Sequence, residues 1–94
     1  MRQVEVEIYS DASILAVIRH PGRQFPGSLI QGDSLHILCS RIDEAMRALD
    51  ANDLEEARGC MMEVSDSLHG RLAHYKEILS EHGIGLPFYE KPAE

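Results

Sequence analysis

The feature that most constrains this chain is a long apolar stripe with helical spacing in its second half. Apolar residues recur every three or four positions over residues 54–79, as they do on one face of an amphipathic helix. A shorter stripe of the same kind covers residues 35–49, and Ala51-Asn52-Asp53 separates the two. The spacing predicts helices over about 33–50 and 54–82, joined as an antiparallel αα-hairpin.

The ends of the two predicted helices carry residues that commonly begin or end a helix. Asp33 or Ser34 can accept hydrogen bonds from the free N–H groups of the first turn. Asp53, followed three residues later by Glu56, is similar to a capping box. Gly83 stands where a left-handed residue often closes a helix.

The N-terminal part of the chain predicts strands. Residues 3–9 alternate between apolar and polar side chains, and residues 14–19 are rich in β-branched apolar residues. After Pro/Gly breaks, residues 28–31 leave room for a short third strand. The predicted fold is therefore α+β. A small antiparallel sheet, made of a hairpin and a short third strand, packs against the long αα-hairpin. We expect a single domain over residues 1–94, with an extended tail over 84–94.

Hydropathy and cysteine content indicate the cellular compartment in which we expect the protein. Apolar stretches fall short of the 18 residues that a membrane span needs, and the N-terminus lacks the pattern of a secretion signal. The two cysteines, Cys39 and Cys60, are too few for a disulfide framework and lack metal-pair spacing. We expect both cysteines to be buried free thiols, which is typical of a reducing compartment. We therefore expect the protein to be cytoplasmic and not to associate with a membrane.

The net charge of −7 is unevenly distributed along the sequence. Residues 1–31 hold three basic and three acidic residues, whereas residues 32–94 hold six basic and thirteen acidic residues. An acidic surface repels phosphate backbones, so we expect no direct binding of nucleic acid. The charge favours a basic protein partner, because complementary charges accelerate association. The alternative is that it simply keeps a small protein soluble.

Catalytic and metal-binding motifs are missing from the pattern. His69 and His74 are five residues apart, whereas helical zinc pairs favour a spacing of four. Asp66 with His69 offers two ligands, which do not make a metal site. The sequence lacks the Gly-x-Ser-x-Gly turn of hydrolases and the Lys-Ser/Thr of phosphate loops. We therefore expect no enzyme activity, no cofactor and no metal.

The most specific segment is residues 21–35, which combines Pro/Gly turns, a short strand and the start of a helix. Arg23 and Phe25 lie beside a turn, and Arg and aromatic side chains are frequent binding anchors. The alternative is that Phe25 belongs to the core and the Pro/Gly pattern only shapes the turn.

Residues 25–35, FPGSLIQGDSL, resemble the Pro-Gly … Gln-Gly-Asp-Ser/Thr-Leu signature of HicB-type antitoxins. The whole sequence resembles more closely a family of small uncharacterised bacterial proteins that share the PG-x-x-FPG-x-x-IQGDSL segment. The HicB resemblance implies a strand hairpin, a short strand and then a helix. It also implies a protein that binds and inhibits a small basic RNase toxin. The chain departs from HicB in its second helix, residues 54–82, and we expect no C-terminal DNA-binding domain.

Together, charge and resemblance predict a non-enzymatic protein-binding module, similar to an antitoxin or immunity protein. It would neutralise a basic, toxin-like protein partner by covering its active cleft. The candidate partner-binding residues comprise three loop residues and four acids of the second helix: Arg23, Phe25, Gln31, Glu55, Glu56, Glu63 and Asp66.

Two alternatives remain open from the sequence. The second helix is longer than the first, and its overhang carries an apolar stripe that should not stay bare in water. The stripe could pack under the sheet. It could also be the seam of a homodimeric scaffold or regulatory module, with Leu68, Leu72, Tyr75 and Leu79 as the interface. A small-molecule sensor, with a pocket between sheet and hairpin, is the further alternative.

Overall fold

The structure, a computed structural model, describes residues 1–11 and 15–90. Within these ranges the chain forms a three-stranded antiparallel sheet and two long helices, and the predicted α+β class is confirmed. The elements in chain order are β1 (Glu7–Ser10), β2 (Val17–Arg19), β3 (Gly27–Ser28), α1 (Gly32–Asp50) and α2 (Leu54–Glu81). Both helices lie within about one residue of the ranges that the apolar spacing predicts.

The chain divides into two compact units. The sheet unit comprises Met1–Leu29 and the chain from Ala73 onward, and the hairpin unit comprises Ile30–Leu72. Helix α2 contributes to both because its 28 residues extend over about 42 Å, whereas the 19 residues of α1 extend over about 28 Å.

The sheet has the strand order β1-β2-β3. The described strands are shorter than the predicted ranges 3–9, 14–19 and 28–31. Residues 3–6 do not join β1, because its partner strand ends at Arg19, opposite Glu7. The chain then turns at Pro21-Gly22, where the N–H of Arg23 donates to the carbonyl of His20 over 2.9 Å. Residues 12–14 and 91–94, to which part of the predicted turn, strand and tail belong, lie outside the described residues.

The core of the sheet unit lies between strand β2 and the last turns of α2. Val17, Tyr75, Ile78 and Leu79 are buried in one cluster, and Tyr9, Ile84 and Leu86 pack against it. The overhang of α2 therefore packs on the sheet, which is one of the alternatives that the sequence leaves open. Gly83 ends the helix with φ +67°, and the N–H of Ile84 donates to the carbonyl of Leu79 over 2.9 Å, as in the predicted left-handed cap.

The hairpin unit consists of α1, a short turn and the first part of α2. Arg41 contacts Glu63 across the two helices and Glu44 contacts Cys60, so the helices run antiparallel. In the turn, Asn52 adopts φ 59°, and the carboxylate of Asp53 accepts a hydrogen bond from the N–H of Glu56 over 3.1 Å. This contact confirms the capping role expected for Asp53.

The start of α1 differs from the prediction. The helix begins at Gly32, and Gln31 holds the N-cap position without a side-chain hydrogen bond to the helix. Asp33 lies inside the first turn, where its carboxylate accepts a hydrogen bond from the N–H of Ser34 over 2.8 Å. An acidic group in this place interacts favourably with the helix dipole.

Candidate functional site

The seven predicted partner-binding residues do not lie in one compact unit. Arg23 and Phe25 belong to the sheet unit, whereas Gln31 and the four acidic residues belong to the hairpin unit. The seven candidates therefore form two sets, one in each unit. Each set has its own local geometry.

Arg23 and Phe25 line an open groove of about 420 Å³ beside β2 and β3. Phe25 is half-buried and Arg23 is exposed. The loop is held in place at two points. The guanidinium of Arg19 donates to the carbonyl of Arg23 over 2.9 Å, and the hydroxyl of Tyr75 donates to the carbonyl of Pro26 over 2.6 Å. The groove thus presents one cation and one aromatic edge on a fixed loop.

The four acidic candidates lie on α2 within the hairpin unit. All four side chains are exposed: Glu55, Glu56, Glu63 and Asp66. Glu63 accepts from the guanidinium of Arg41 over 2.6 Å, and Glu44 accepts from the same guanidinium over 3.0 Å. These two carboxylates, Glu44 first, raise the pKa of Arg41. Part of the negative charge of this helix face is therefore balanced from α1.

A second acidic feature surrounds Cys60, which is buried as expected. Its sulfur lies 3.7 Å from a carboxylate oxygen of Glu44 and 3.7 Å from one of Glu56. Burial above all, and then the carboxylates of Glu56 and Glu44, raise the pKa of the thiol. The other cysteine, Cys39, is exposed, so the expectation of two buried thiols is wrong for that residue.

Cys60, Glu44 and Glu56 offer three ligand atoms that lie within 4.8 Å of one another. The sequence gives no sign of this cluster, because Glu44 reaches the other two residues only through the antiparallel pairing of the helices. The raised pKa of the thiol works against metal binding, since a metal is bound by the thiolate.

A further exposed feature of the hairpin unit is apolar. Its buried positions hold five small or medium side chains and one arginine: Ala45, Ala48, Ala57, Cys60, Val64 and Arg71. Large side chains stay between 39% and 64% exposed on both helices, and we call eight of them the apolar hairpin face: Leu35, Ile42, Met46, Leu49, Leu54, Met61, Leu68 and Leu72.

Two open grooves connect the helices on the apolar hairpin face. Leu49 and Met61 line the groove near the turn, which has a volume of about 380 Å³. Ile42 and Leu68 line a second groove of about 350 Å³. Since each groove takes residues from both helices, the exposed stripes of α1 and α2 belong to the same side of the hairpin.

The predicted dimer interface is divided by this arrangement. Leu68 and Leu72 are exposed and belong to the apolar hairpin face. Tyr75 and Leu79 are buried in the core of the sheet unit against Val17, so they cannot contact a second copy. All four residues follow one helical stripe, so the sequence pattern predicts a single seam. The stripe of α2 does not indicate the α1 half of the exposed face, although buried alanines at positions 45, 48 and 57 mark the inner sides of the two helices.

Comparisons with known proteins identify a family but name no activity. Among the described residues, no helix is both long enough and apolar enough to cross a membrane. Neither a curated protein nor a solved structure matches the chain. A family model described as "Family of unknown function (DUF6959)" matches residues 1–88. The chain therefore belongs to the DUF6959 family.

Proposed function

We propose that this protein is a non-enzymatic, cytoplasmic binding module that neutralises a basic protein partner by covering it, as antitoxins and immunity proteins do. The observation that carries the proposal is the net negative charge of the hairpin unit, to which the four exposed acids of α2 contribute. The segment from Ile30 to Leu72 contains nine acidic and four basic residues, a net charge of −5 out of the −7 of the whole chain. Such a concentration of charge attracts a cationic surface over a distance and orients it.

Glu55 and Asp66 are the centre of this proposed surface. They are eleven residues apart, which is about three helical turns, so they share one side of α2 and lie about 16 Å apart along its axis. Both carboxylates are exposed. Glu63, which is salt-bridged to Arg41, contributes less free charge. A basic cleft of matching length could be covered by this helix face.

The loop groove provides a second set of contacts in the proposal. Arg23 and the half-buried Phe25 supply the cation and the aromatic edge that binding surfaces often use as anchors. The same segment carries the resemblance to the signature of HicB-type antitoxins, whose partners are small basic RNase toxins. This resemblance supports the choice of a toxin-like partner.

The test is capture of the partner with the tagged full-length chain, from a lysate of its own source cells, at low and at high salt. We expect one basic protein in stoichiometric amount, which is lost as the salt concentration rises because exposed charges are screened. The captured protein should also lose its own activity when the chain is added. Capture of no basic protein, or of one whose activity is unchanged, would overturn the proposal.

A pair of charge-reversed variants locates the surface. Glu55→Lys with Asp66→Lys should slow association at low salt by about tenfold or more, because steering depends on these charges. The control, Glu5→Lys with Glu81→Lys, changes the net charge by the same amount at exposed positions of the sheet unit. If both double variants slow association equally, net charge rather than the α2 face controls binding.

A further inference from the structure

We propose that two copies of this chain associate through the apolar hairpin face, so that two hairpin units form a four-helix bundle. This inference is independent of the acidic surface, because it rests on the opposite character of a different side of the hairpin. It concerns the eight exposed large side chains defined above and the two grooves between them.

The spacing of these side chains identifies what kind of surface they fit. On α1, Leu35, Ile42 and Leu49 recur every seven residues, and on α2 the same interval separates Leu54, Met61 and Leu68. A seven-residue apolar repeat is the pattern by which one helix packs along another at a small crossing angle. Two such stripes side by side therefore fit a pair of helices.

The two stripes are only partly covered inside the hairpin itself. The buried residues of α1 and α2 in this unit lie outside the apolar hairpin face: Ala45, Ala48, Ala57, Cys60, Val64 and Arg71. Leu54 remains 64% exposed and Met61 52% exposed. The heptad positions of both helices are thus left on the outside, where a second helix pair can reach them.

The size of the face matches what a dimer requires. Eight large side chains, each about half exposed, present roughly 700–800 Å² of apolar surface, close to the roughly 800 Å² that each partner buries in a standard interface. The largest apolar patch of a typical monomer covers about 300–600 Å². Burial of this area would stabilise a dimer, because the favourable free energy of burial grows with the apolar area removed from water.

The charge of the apolar hairpin face favours a second copy of the chain over a basic protein as its partner. Of the residues that line the two grooves, Asp43 and Arg58 are charged, and they carry opposite signs. The face is therefore nearly neutral, whereas the hairpin unit as a whole carries −5. Two copies, each with a net charge of −7, repel one another through their acidic sides and can approach closely at this face. A basic partner would instead be attracted to the acidic side.

The proposed dimer leaves the acidic surface accessible. Glu55 lies six residues before Met61 and Asp66 five residues after it, and a helix turns about 100° per residue, so both side chains point about 120–140° away from Met61. Two-fold symmetry would bury the Met61 side of both copies and leave Glu55 and Asp66 of each copy facing the solvent. One dimer could then present two equivalent acidic surfaces.

The test is the molar mass of the full-length chain, measured by sedimentation equilibrium over a range of concentrations. We expect twice the mass of the 10.5 kDa chain. Ile42→Glu should raise the dissociation constant by about a hundredfold or more, because it places a charge inside an apolar interface. Ile37→Glu is the matched control, since Ile37 is an equally large, 56% exposed residue of α1 that does not line the grooves.

A second variant on the other helix guards against misfolding. Met61→Glu lies at a position already 52% exposed, so the monomer should keep the helical circular dichroism of the native chain while the dimer is lost. A native chain that is monomeric at every concentration would overturn the inference. A dimer that survives both Ile42→Glu and Met61→Glu would also overturn it, because the contact would then lie elsewhere.

The two proposals fail separately in these experiments. Ile42→Glu should abolish the dimer without preventing capture of a basic partner. Glu55→Lys with Asp66→Lys should slow that capture without changing the molar mass. Loss of one property in both sets of variants would show that one surface serves both purposes.

Discussion

The sheet unit and the hairpin unit differ in the size of the side chains that they bury. In the sheet unit, Val17 and Leu79 are 0% exposed, and Tyr75 and Ile78 are buried beside them. In the hairpin unit, half of the buried positions are alanines, and residues such as Leu54 remain on the surface. Both units expose some large apolar side chains, but the sheet unit also buries a cluster of them in a core.

The burial of large apolar side chains changes along the length of α2. The first part of α2 contributes Leu54, Met61 and Leu68 to an exposed face, and the last part contributes Leu79 to a closed core. The apolar stripe is continuous, and the difference comes from what covers it. A sheet covers the last turns of α2, whereas the first turns contact the small residues of α1.

The largest effect should come from the closed core. Leu79→Ala should lower the free energy of unfolding by about 2–5 kcal/mol, because it removes a fully buried side chain and leaves a cavity. Urea denaturation at a fixed protein concentration measures the change. Ile8→Ala, at a strand position that is 60% exposed, is the control and should cost less than about 1 kcal/mol. If both variants lose the same free energy of unfolding, the difference in burial between Leu79 and Ile8 does not affect stability.

Next in size is the effect of enlarging a buried side chain of the hairpin unit. Ala45→Leu should lower the free energy of unfolding by about 1–3 kcal/mol, because the buried position has no room for a larger side chain. Met46→Leu changes the neighbouring residue at nearly constant volume on an exposed position, and should be nearly neutral. Thermal denaturation of both variants separates the two cases. A neutral Ala45→Leu would show that the helices are not in close contact.

A smaller effect should come from the hydrogen bond that holds the loop. Tyr75→Phe keeps the ring but removes the hydroxyl that donates to the carbonyl of Pro26 over 2.6 Å. The loss should be about 1–2 kcal/mol, because a buried carbonyl loses its donor. Tyr89→Phe is the control, since Tyr89 is 85% exposed. If the two variants are equally stable, the Pro26 contact contributes nothing measurable.

The burial of Tyr75 also gives the stability of the fold a pH dependence of defined sign. Burial raises the pKa of Tyr75 above its ordinary value of 10.0, so the unfolded chain releases this proton at a lower pH than the folded one. The native contribution is complete below pH 10.0 and is lost as the pH rises through the folded pKa. Stability should therefore fall less steeply above pH 10.0 in Tyr75→Phe than in the native chain.

The smallest effect concerns the two thiols. At pH 8, iodoacetamide should modify the exposed Cys39 at least about tenfold faster than Cys60, because the reagent needs an accessible thiolate. Burial and the carboxylates of Glu56 and Glu44 raise the pKa of Cys60 and keep its thiol protonated. Variants with a single cysteine allow each rate to be measured by mass spectrometry. Glu56→Gln should speed the reaction of Cys60, and an unchanged rate would argue against the role of that carboxylate.

Much of the fold can be read from local patterns. The three- and four-residue spacing predicts both helices almost to their ends, and Asp53 and Gly83 act as the expected caps. The ends of the strands are predicted less accurately, because a strand forms only where a neighbouring strand pairs with it. Residues 3–6 alternate as a strand does, yet β2 ends at Arg19 before it can pair with them.

The candidate site residues also divide into those that local sequence predicts and those that depend on a neighbouring element. Exposed acidic residues such as Glu55 and Asp66 lie where the helical pattern predicts. The assignment of Tyr75 and Leu79 to a dimer seam fails because the sheet covers them. The association of Glu44 with Cys60 was not predictable, since the two residues are on different helices and meet only in the folded hairpin.

The sequence by itself determined the helices, their caps, the acidic side of α2 and the presence of an apolar stripe, because all of these depend on residues a few positions apart. Only the tertiary structure decided which part of the stripe is covered. The stripe is a property of one helix, but its burial depends on the neighbour: strand β2 closes over Leu79, whereas the alanines of α1 leave Leu54 and Met61 exposed.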